Sequence, residues 1–257
     1  MTHILNEIVA NKRCEIQQLK QRIGLSDYIE SPHFGRSVFS LKERIQHHFG
    51  IIAEIKRKSP SAGEINPNLN ILSQVEFYEG LGAAGISVLT DHSYFGGSIE
   101  DLEQIRAKTN LPLLRKEFIV DEYQLFESKA AGADSILLIA SILEKEKAHH
   151  LTIVAKSLGL EVIFEIHSFE ELDKLNDEID ILMINNRNLK TQETTLDHSF
   201  QLASYLPKNT VNISASGISN PNQLRKLENS GFKGALIGES LLKGEFTFGL
   251  TSKMIVS

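Results

Sequence analysis

The chain carries 257 residues, 41% of them hydrophobic and 23% charged, with 27 basic and 33 acidic side chains for a formal net charge of −6. This composition supplies one large core, excludes a disordered chain and argues against a general nucleic-acid binder, while leaving room for a local basic pocket around an anionic small molecule. A lone cysteine, Cys14, permits no intrachain disulfide, no apolar run is long enough to span a bilayer, and Glu7, Lys12 and Arg13 interrupt any signal-peptide core, so a cytoplasmic protein is expected.

Ile4, Leu5, Ile8 and Val9 recur at helical spacing, and Lys12 to Lys20 continues as a polar helix. Residues 1–49 therefore read as a helical extension laid on the body of the chain. From residue 50 one unit repeats: a short apolar, β-branched run, a loop, then an amphipathic stretch. The strand-like runs are Ile51–Ile55, Ile86–Thr90, Leu113–Lys116, Ser135–Ile139, Glu161–Glu165, Ile181–Asn185, Val211–Ser216 and Ala235–Ile237. Such continuous runs suit strands buried on both faces of a parallel sheet. Between them, Ser98 with Asp101 and Ser168 with Glu171 have capping-box spacing. Asn220 and Pro221 read as an N-cap and first helical position, and Gly132, Gly159 and Gly231 as helix stops. Strands alternating with helices over residues 50–257 predict an α/β fold, a (β/α)8 TIM barrel that forms a single domain with the 1–49 extension. A doubly wound open sheet would announce a Gly-rich turn after its first strand, and here that turn reads Lys56-Arg57-Lys58-Ser59-Pro60-Ser61.

Barrel enzymes place their chemistry at the C-terminal ends of the strands, and there the apolar runs turn polar. Side chains alternate along a strand, so Glu54 and Lys56 share one face and, with Ala53 and Ile55 outward, point into the barrel mouth. They are either an ion pair bracing the barrel or part of a functional site. Lys116 shares a face with Leu114 and Phe118, with no acid adjacent on that face. Glu165 ends the fifth run, Asn185 and Arg187 the sixth, Ser216 and Gly217 the seventh, and Gly238, Glu239 and Ser240 the eighth. Glycines just after the last two strands sit where such barrels hold phosphate on backbone N–H groups. His167 reads as a hydrogen-bonded scaffold histidine, and the pairs His47-His48 and His149-His150 as solvated. No Walker A sequence, His-Glu-x-x-His or cysteine ligand set is present, so no metal, nucleotide or other cofactor is expected.

The strings Ile52-Ala53-Glu54-Ile55-Lys56-Arg57-Lys58-Ser59-Pro60-Ser61, Val88-Leu89-Thr90-Asp91 with Tyr94-Phe95-Gly96-Gly97-Ser98, Arg115-Lys116-Glu117-Phe118-Ile119-Val120 and Ile184-Asn185-Asn186-Arg187-Asn188-Leu189 carry a specific likeness. The chain resembles, over nearly its whole length, the indole-3-glycerol-phosphate synthase family of tryptophan biosynthesis. The resemblance implies closure of the indole ring of 1-(2-carboxyphenylamino)-1-deoxyribulose 5-phosphate with loss of carbon dioxide and water, without a cofactor. It implies Lys116 as general acid to the ketone oxygen, and Lys56 as carboxylate ligand and acid in the later dehydration. Glu54 and Glu165 would be base and cation stabilisers, in an order left open. Asn185 and Arg187 would orient hydroxyl and carboxylate groups, and Phe95, Phe118 and Leu189 would wall the aromatic ring. Ser59, Ser216, Gly217, Gly238 and Glu239 would cradle the phosphate. The implied partner is a small sugar phosphate, with no nucleic acid or membrane, and the protein a monomer or weak homodimer.

Two positions depart from the family pattern. Ala215 stands where a glutamate usually precedes Ser-Gly-Ile, and Met183 where a glycine usually precedes Ile-Asn. An active-site carboxylate is thus missing, and Met183 is expected to fill part of its volume. The competing readings are a paralogue acting on a related aryl-amine sugar phosphate and a non-catalytic binding subunit. The retained Lys56, Lys116, Glu165, Asn185 and Arg187 argue against the latter.

Overall fold

The structure, a computed structural model, describes residues 3–188, 191, 193–207 and 210–244. Its centre is a closed parallel barrel of eight strands. In chain order they are β1 (Gly50–Ile55), β2 (Gly85–Leu89), β3 (Leu113–Lys116), β4 (Ser135–Ile139), β5 (Glu161–Ile166), β6 (Ile181–Asn185), β7 (Val211–Ala215) and β8 (Gly234–Ile237). The predicted runs fall on these strands, three of them with both ends matched and the others displaced by no more than one residue at either end. Each strand pairs with its sequence neighbour, and β8 closes the ring on β1 through Ile51↔Ala235 and Ile52↔Leu236. Helices cover the outside, among them the short α2 (Leu25–Ile29) and α5 (His92–Phe95), and α4 (Ile71–Gly80), α6 (Ile99–Lys108), α7 (Tyr123–Ala130), α8 (Lys145–Ser157), α9 (Asp197–Ala203) and α10 (Pro221–Asn229).

The helix punctuation follows the sequence at most places. Ser98 and Asp101 form a reciprocal capping box on α6, as do Asn220 and Gln223 on α10, where Pro221 opens the helix. Gly132, Gly159 and Gly231 all take positive φ just past helix ends. The Ser168–Glu171 capping box does not form. The segment Phe169–Lys174 is a 3₁₀ helix without a side-chain cap at Ser168, because Glu171 accepts from the His167 backbone N–H at 2.6 Å instead. A short antiparallel hairpin, Lys58–Ser59 against Gly63–Glu64, follows β1 and has no counterpart in the sequence reading.

The N-terminal extension closes both ends of the barrel. Helix α3 (Leu41–Gln46) plugs the floor with fully buried Leu41 and Ile45. Glycine is required above it. A Cβ on Gly50 would stand 2.4 Å from Ile45 Cγ2, and one on Gly85 2.8 Å from Leu41 Cδ1. Glu161, at the lower end of β5, accepts from the Leu41 and Lys42 amides at 2.9 and 3.2 Å, a carboxylate at a helix N-terminus. Helix α1 (His3–Lys20) lies at the opposite end, and its Ile4, Leu5 and Ile8 enter the mouth. Among the described residues no helix is long and apolar enough to cross a membrane.

Candidate active site

At the C-terminal ends of the strands the barrel opens into a cavity of about 430 Å³. Each predicted site residue that the structure describes lines it: Glu54, Lys56, Ser59, Phe95, Lys116, Phe118, Glu165, Asn185, Arg187, Ser216, Gly217, Gly238 and Glu239. Leu189 lies outside the described residues. His47, His48, His149 and His150 are exposed, away from this mouth, and His150 Nε2 stands 2.9 Å from Glu122.

The floor of the cavity is a charge cluster. Lys56 Nζ donates to Glu54 Oε1 at 2.7 Å. Lys116 Nζ lies 3.8 Å from Glu54 Oε2 and 4.0 Å from Glu165 Oε2. Lys116 lacks an acid on its own strand face, as the sequence indicates, but β1 and β5 supply two across the barrel. Burial pushes the Glu54 carboxyl up, and the facing Lys56 and Lys116 ammonium groups outweigh it, holding its pKa below the usual carboxylate value. The pair Glu54–Lys56 is thus both a buried ion pair and part of the cavity wall.

Lys116 is aimed by rigid neighbours. Arg115 points outward and donates to Gln124 O, Ser128 Oγ and Glu127 Oε2 at 3.0, 3.0 and 2.6 Å. Glu117 accepts from Thr90 Oγ1 and from the Phe118 amide, both at 2.8 Å. Lys12 on α1 completes this brace, with Nζ 3.0 Å from Asp91 Oδ2 and 3.2 Å from Glu117 Oε1. Burial pushes the Lys12 pKa down, but the Glu117 and Asp91 carboxylates raise it above the ordinary lysine value. One buried cation thereby fastens the roof helix to the strand end that carries Lys116. Phe95 and Phe118 stand with ring centroids 6.0 Å apart, tilted by 38°, as one apolar wall.

Opposite that wall, the loops after β7 and β8 line the cavity with Ser216, Gly217, Gly238 and Glu239. Ser216 and Gly217 take φ of +71° and +75° in succession. Ser216 is the one non-glycine residue with positive φ among the described residues, a conformation that costs about 1–3 kcal/mol and clusters at functional sites. Asn186 holds this turn by donating from Nδ2 to Ala215 O and Ser216 O at 2.9 and 3.0 Å. Gly238 leaves room for Glu54, whose Oε1 would stand 2.5 Å from a Cβ there. Ser240 Oγ donates to Ile218 O at 2.9 Å and ties the two loops together.

Sequence reasoning missed several cavity residues. His167 is not only scaffold. It lines the cavity, with its ring 6% exposed. The signal was available, since alternation puts His167 on the face of Glu165. Ile4, Leu5 and Ile8 gave no signal beyond helix periodicity. Met183 departs from expectation in the other direction. It is fully buried in the core and pairs in register with Glu165 and Ile213. Alternation therefore sets it one layer below Asn185, beneath the cavity rather than beside Ala215.

A barrel mouth roofed by a helix and lined by paired charges is how a (β/α)8-barrel enzyme encloses a small-molecule substrate. Comparison with known proteins narrows the class. The family model described as indole-3-glycerol phosphate synthase matches residues 5–248, and the chain belongs to that family. Indole-3-glycerol phosphate synthase of Bacteroides thetaiotaomicron is 45% identical over 244 residues, covering 95% of this chain and 94% of the relative. That of Bacillus mycoides is 41% identical over 246 residues, covering 94% of each. Among solved structures, a tryptophan synthase alpha-subunit from Pyrococcus furiosus superposes with a TM-score of 0.57 at 17% identity, covering 76% of this chain and 88% of that one. The subunit from Legionella pneumophila gives 0.56 at 18% identity, covering 79% and 86%. These two likenesses concern the fold.

Proposed function

We propose that the cavity closes the indole ring of 1-(2-carboxyphenylamino)-1-deoxyribulose 5-phosphate, releasing carbon dioxide and water to give indole-3-glycerol phosphate. The observation that carries the reading is the placement of Lys116 between Glu54 and Glu165, with Lys56 paired to Glu54, beside an aromatic wall. Lys116 gives a proton to the ketone oxygen as the aromatic carbon attacks the ketone carbon. The ring then carries positive charge, which Glu54 and Glu165 stabilise, and the carboxyl leaves as carbon dioxide. Lys56 holds that carboxylate first and afterwards protonates the departing hydroxyl. A carboxylate removes the last proton, from the carbon beside the nitrogen, and completes the indole ring. Proton transfer by a positioned side chain is typically worth about 10²–10⁴-fold each. Phe95 and Phe118 face the aryl group. Asn185, whose Oδ1 accepts from the Arg187 amide at 3.1 Å, and Arg187 orient the substrate's hydroxyl and carboxylate groups.

The Ser216–Gly217 turn, the backbone at Gly238 and Glu239, and Ser59 take the phosphate. Positive-φ backbone that turns successive N–H groups inward makes an anion nest. No cofactor enters this reading, and the lone cysteine supports a reducing cytoplasm, with the protein a monomer or weak homodimer. Incubation with the carboxyphenylamino-deoxyribulose phosphate tests the proposal. Indole fluorescence is expected to rise with release of one carbon dioxide per product, and a flat signal at high enzyme concentration refutes it.

A further inference from the structure

Two of the buried polar atoms without a hydrogen-bond partner belong to cavity residues, His167 Nε2 and Glu165 Oε2. Folded proteins pair nearly all such groups, so each exception asks for a reason. His167 has two ring nitrogens to satisfy. Here one is met: Ser141 Oγ lies 3.3 Å from Nδ1. The backbone around both residues is pinned by the Phe169–Lys174 3₁₀ helix. Glu171 accepts from the His167 amide at 2.6 Å, and Lys174 donates to Ala140 O and Leu143 O, both at 2.9 Å. When the Ser141 hydroxyl donates to Nδ1, the ring N–H is on Nε2. That nitrogen stands 3.2 Å from Glu165 Oε1, out of line for a hydrogen bond. Hydrogen bonds of this kind often align only when substrate is bound. The other oxygen, Oε2, is left facing Lys116 at 4.0 Å.

We propose that His167 is a positioning residue for Glu165. Braced by Ser141, it turns Nε2–H toward Oε1, fixes the carboxylate and keeps Oε2 facing Lys116. This deepens the ring-closure reading and rests on it for the identity of the substrate alone. The charged groups around the imidazole are Glu165 two residues before it on β5, Lys116 across that carboxylate, and Glu171 and Lys174 on the adjoining 3₁₀ helix.

The test uses His167→Leu, which removes the donor, and His167→Gln, whose amide N–H reaches a similar point. For His167→Leu, kcat is expected to fall about tenfold or more, with KM within about twofold of wild type. The acidic limb of the kcat–pH profile is expected to move to higher pH, because an N–H donor favours the charged form of a carboxylate. His167→Gln is expected to restore both. Imidazole nitrogen NMR of the wild-type protein, which needs no turnover, is expected to report the Nε2–H tautomer. A proton on Nδ1 overturns the proposal, as does a His167→Leu profile with unmoved kcat and limb. A loss of kcat that glutamine does not rescue and that leaves the limb in place also overturns it, assigning His167 to packing. If wild type fails to turn over while the Nε2–H tautomer is present, the substrate reading falls and the positioning role stands.

Discussion

Ala215→Glu places a carboxylate where β7 meets the cavity. Ala215 is 2% exposed, and its carbonyl is fixed by the Asn186 amide and Nδ2, both at 2.9 Å. The added side chain therefore starts from a held backbone and opens on a cavity of about 430 Å³ that also contains Lys56, Lys116 and Arg187. Those cations compensate the new charge on burial. A preorganised charge in direct contact with a developing cation lowers a barrier by about 2–4 kcal/mol. Glu54 and Glu165 already supply part of that field, so the expected gain is smaller, about 1.4 kcal/mol or tenfold in kcat. Steady-state indole fluorescence at saturating substrate measures it. Met183→Gly separates this account from one in which Met183 fills the missing space. Met183 is fully buried beneath the cavity, so truncation is expected to cost about 2–5 kcal/mol of stability and to add nothing to the rate of Ala215→Glu. A well-folded Ala215→Glu with kcat at or below wild type refutes the reasoning, as does a gain that appears only with Met183→Gly. If wild type is inactive on this substrate and a variant gains activity, the paralogue reading takes the lead.

The lowered pKa of Glu54 links its ion pairs to pH. A carboxylate depressed in the folded state contributes stability that is present above its ordinary value of 4.5 and lost as pH falls through the folded value. Glu54→Gln is therefore expected to destabilise by about 3 kcal/mol at neutral pH, a difference that shrinks in acid denaturant melts; a pH-independent difference contradicts this. Inorganic phosphate at ten times its Kd is expected to stabilise by about 1.4 kcal/mol, or about 2–4 °C in melting temperature. Gly217→Val is expected to abolish that shift, because Gly217 takes φ +75° and a Cβ there would stand 2.6 Å from Thr194 Cγ2. Equal shifts in both proteins would move the phosphate elsewhere.

The barrel was legible because its strands are buried on both faces, so a stretch such as Ile136–Ile139 reads as an unbroken apolar run. The inward charges stood out for the same reason, since Glu54, Lys116 and Glu165 interrupt such runs at a fixed end. What stayed hidden depends on partners distant in sequence. Lys12 looks like one more polar residue of α1 until Asp91 and Glu117 arrive from two barrel loops. Ser168 and Glu171 have the right spacing for a cap, but spacing does not reveal that the His167 amide takes the carboxylate first. Met183 shows the limit of pattern comparison, because an unusual residue near the reaction centre in sequence lies a layer below it in space.

The ring-closure account is tested most directly by wild type and Lys116→Met side by side, with carboxyl-labelled substrate. Indole fluorescence and labelled carbon dioxide are followed together, and binding of a product analogue is measured for both proteins. In this account Lys116 is the proton donor that starts the sequence, and matched release of indole product and carbon dioxide is predicted from wild type. Lys116→Met is predicted to bind the analogue while losing about 10²–10⁴-fold or more in turnover. Absence of both signals from wild type, or near-normal turnover by Lys116→Met, would contradict it.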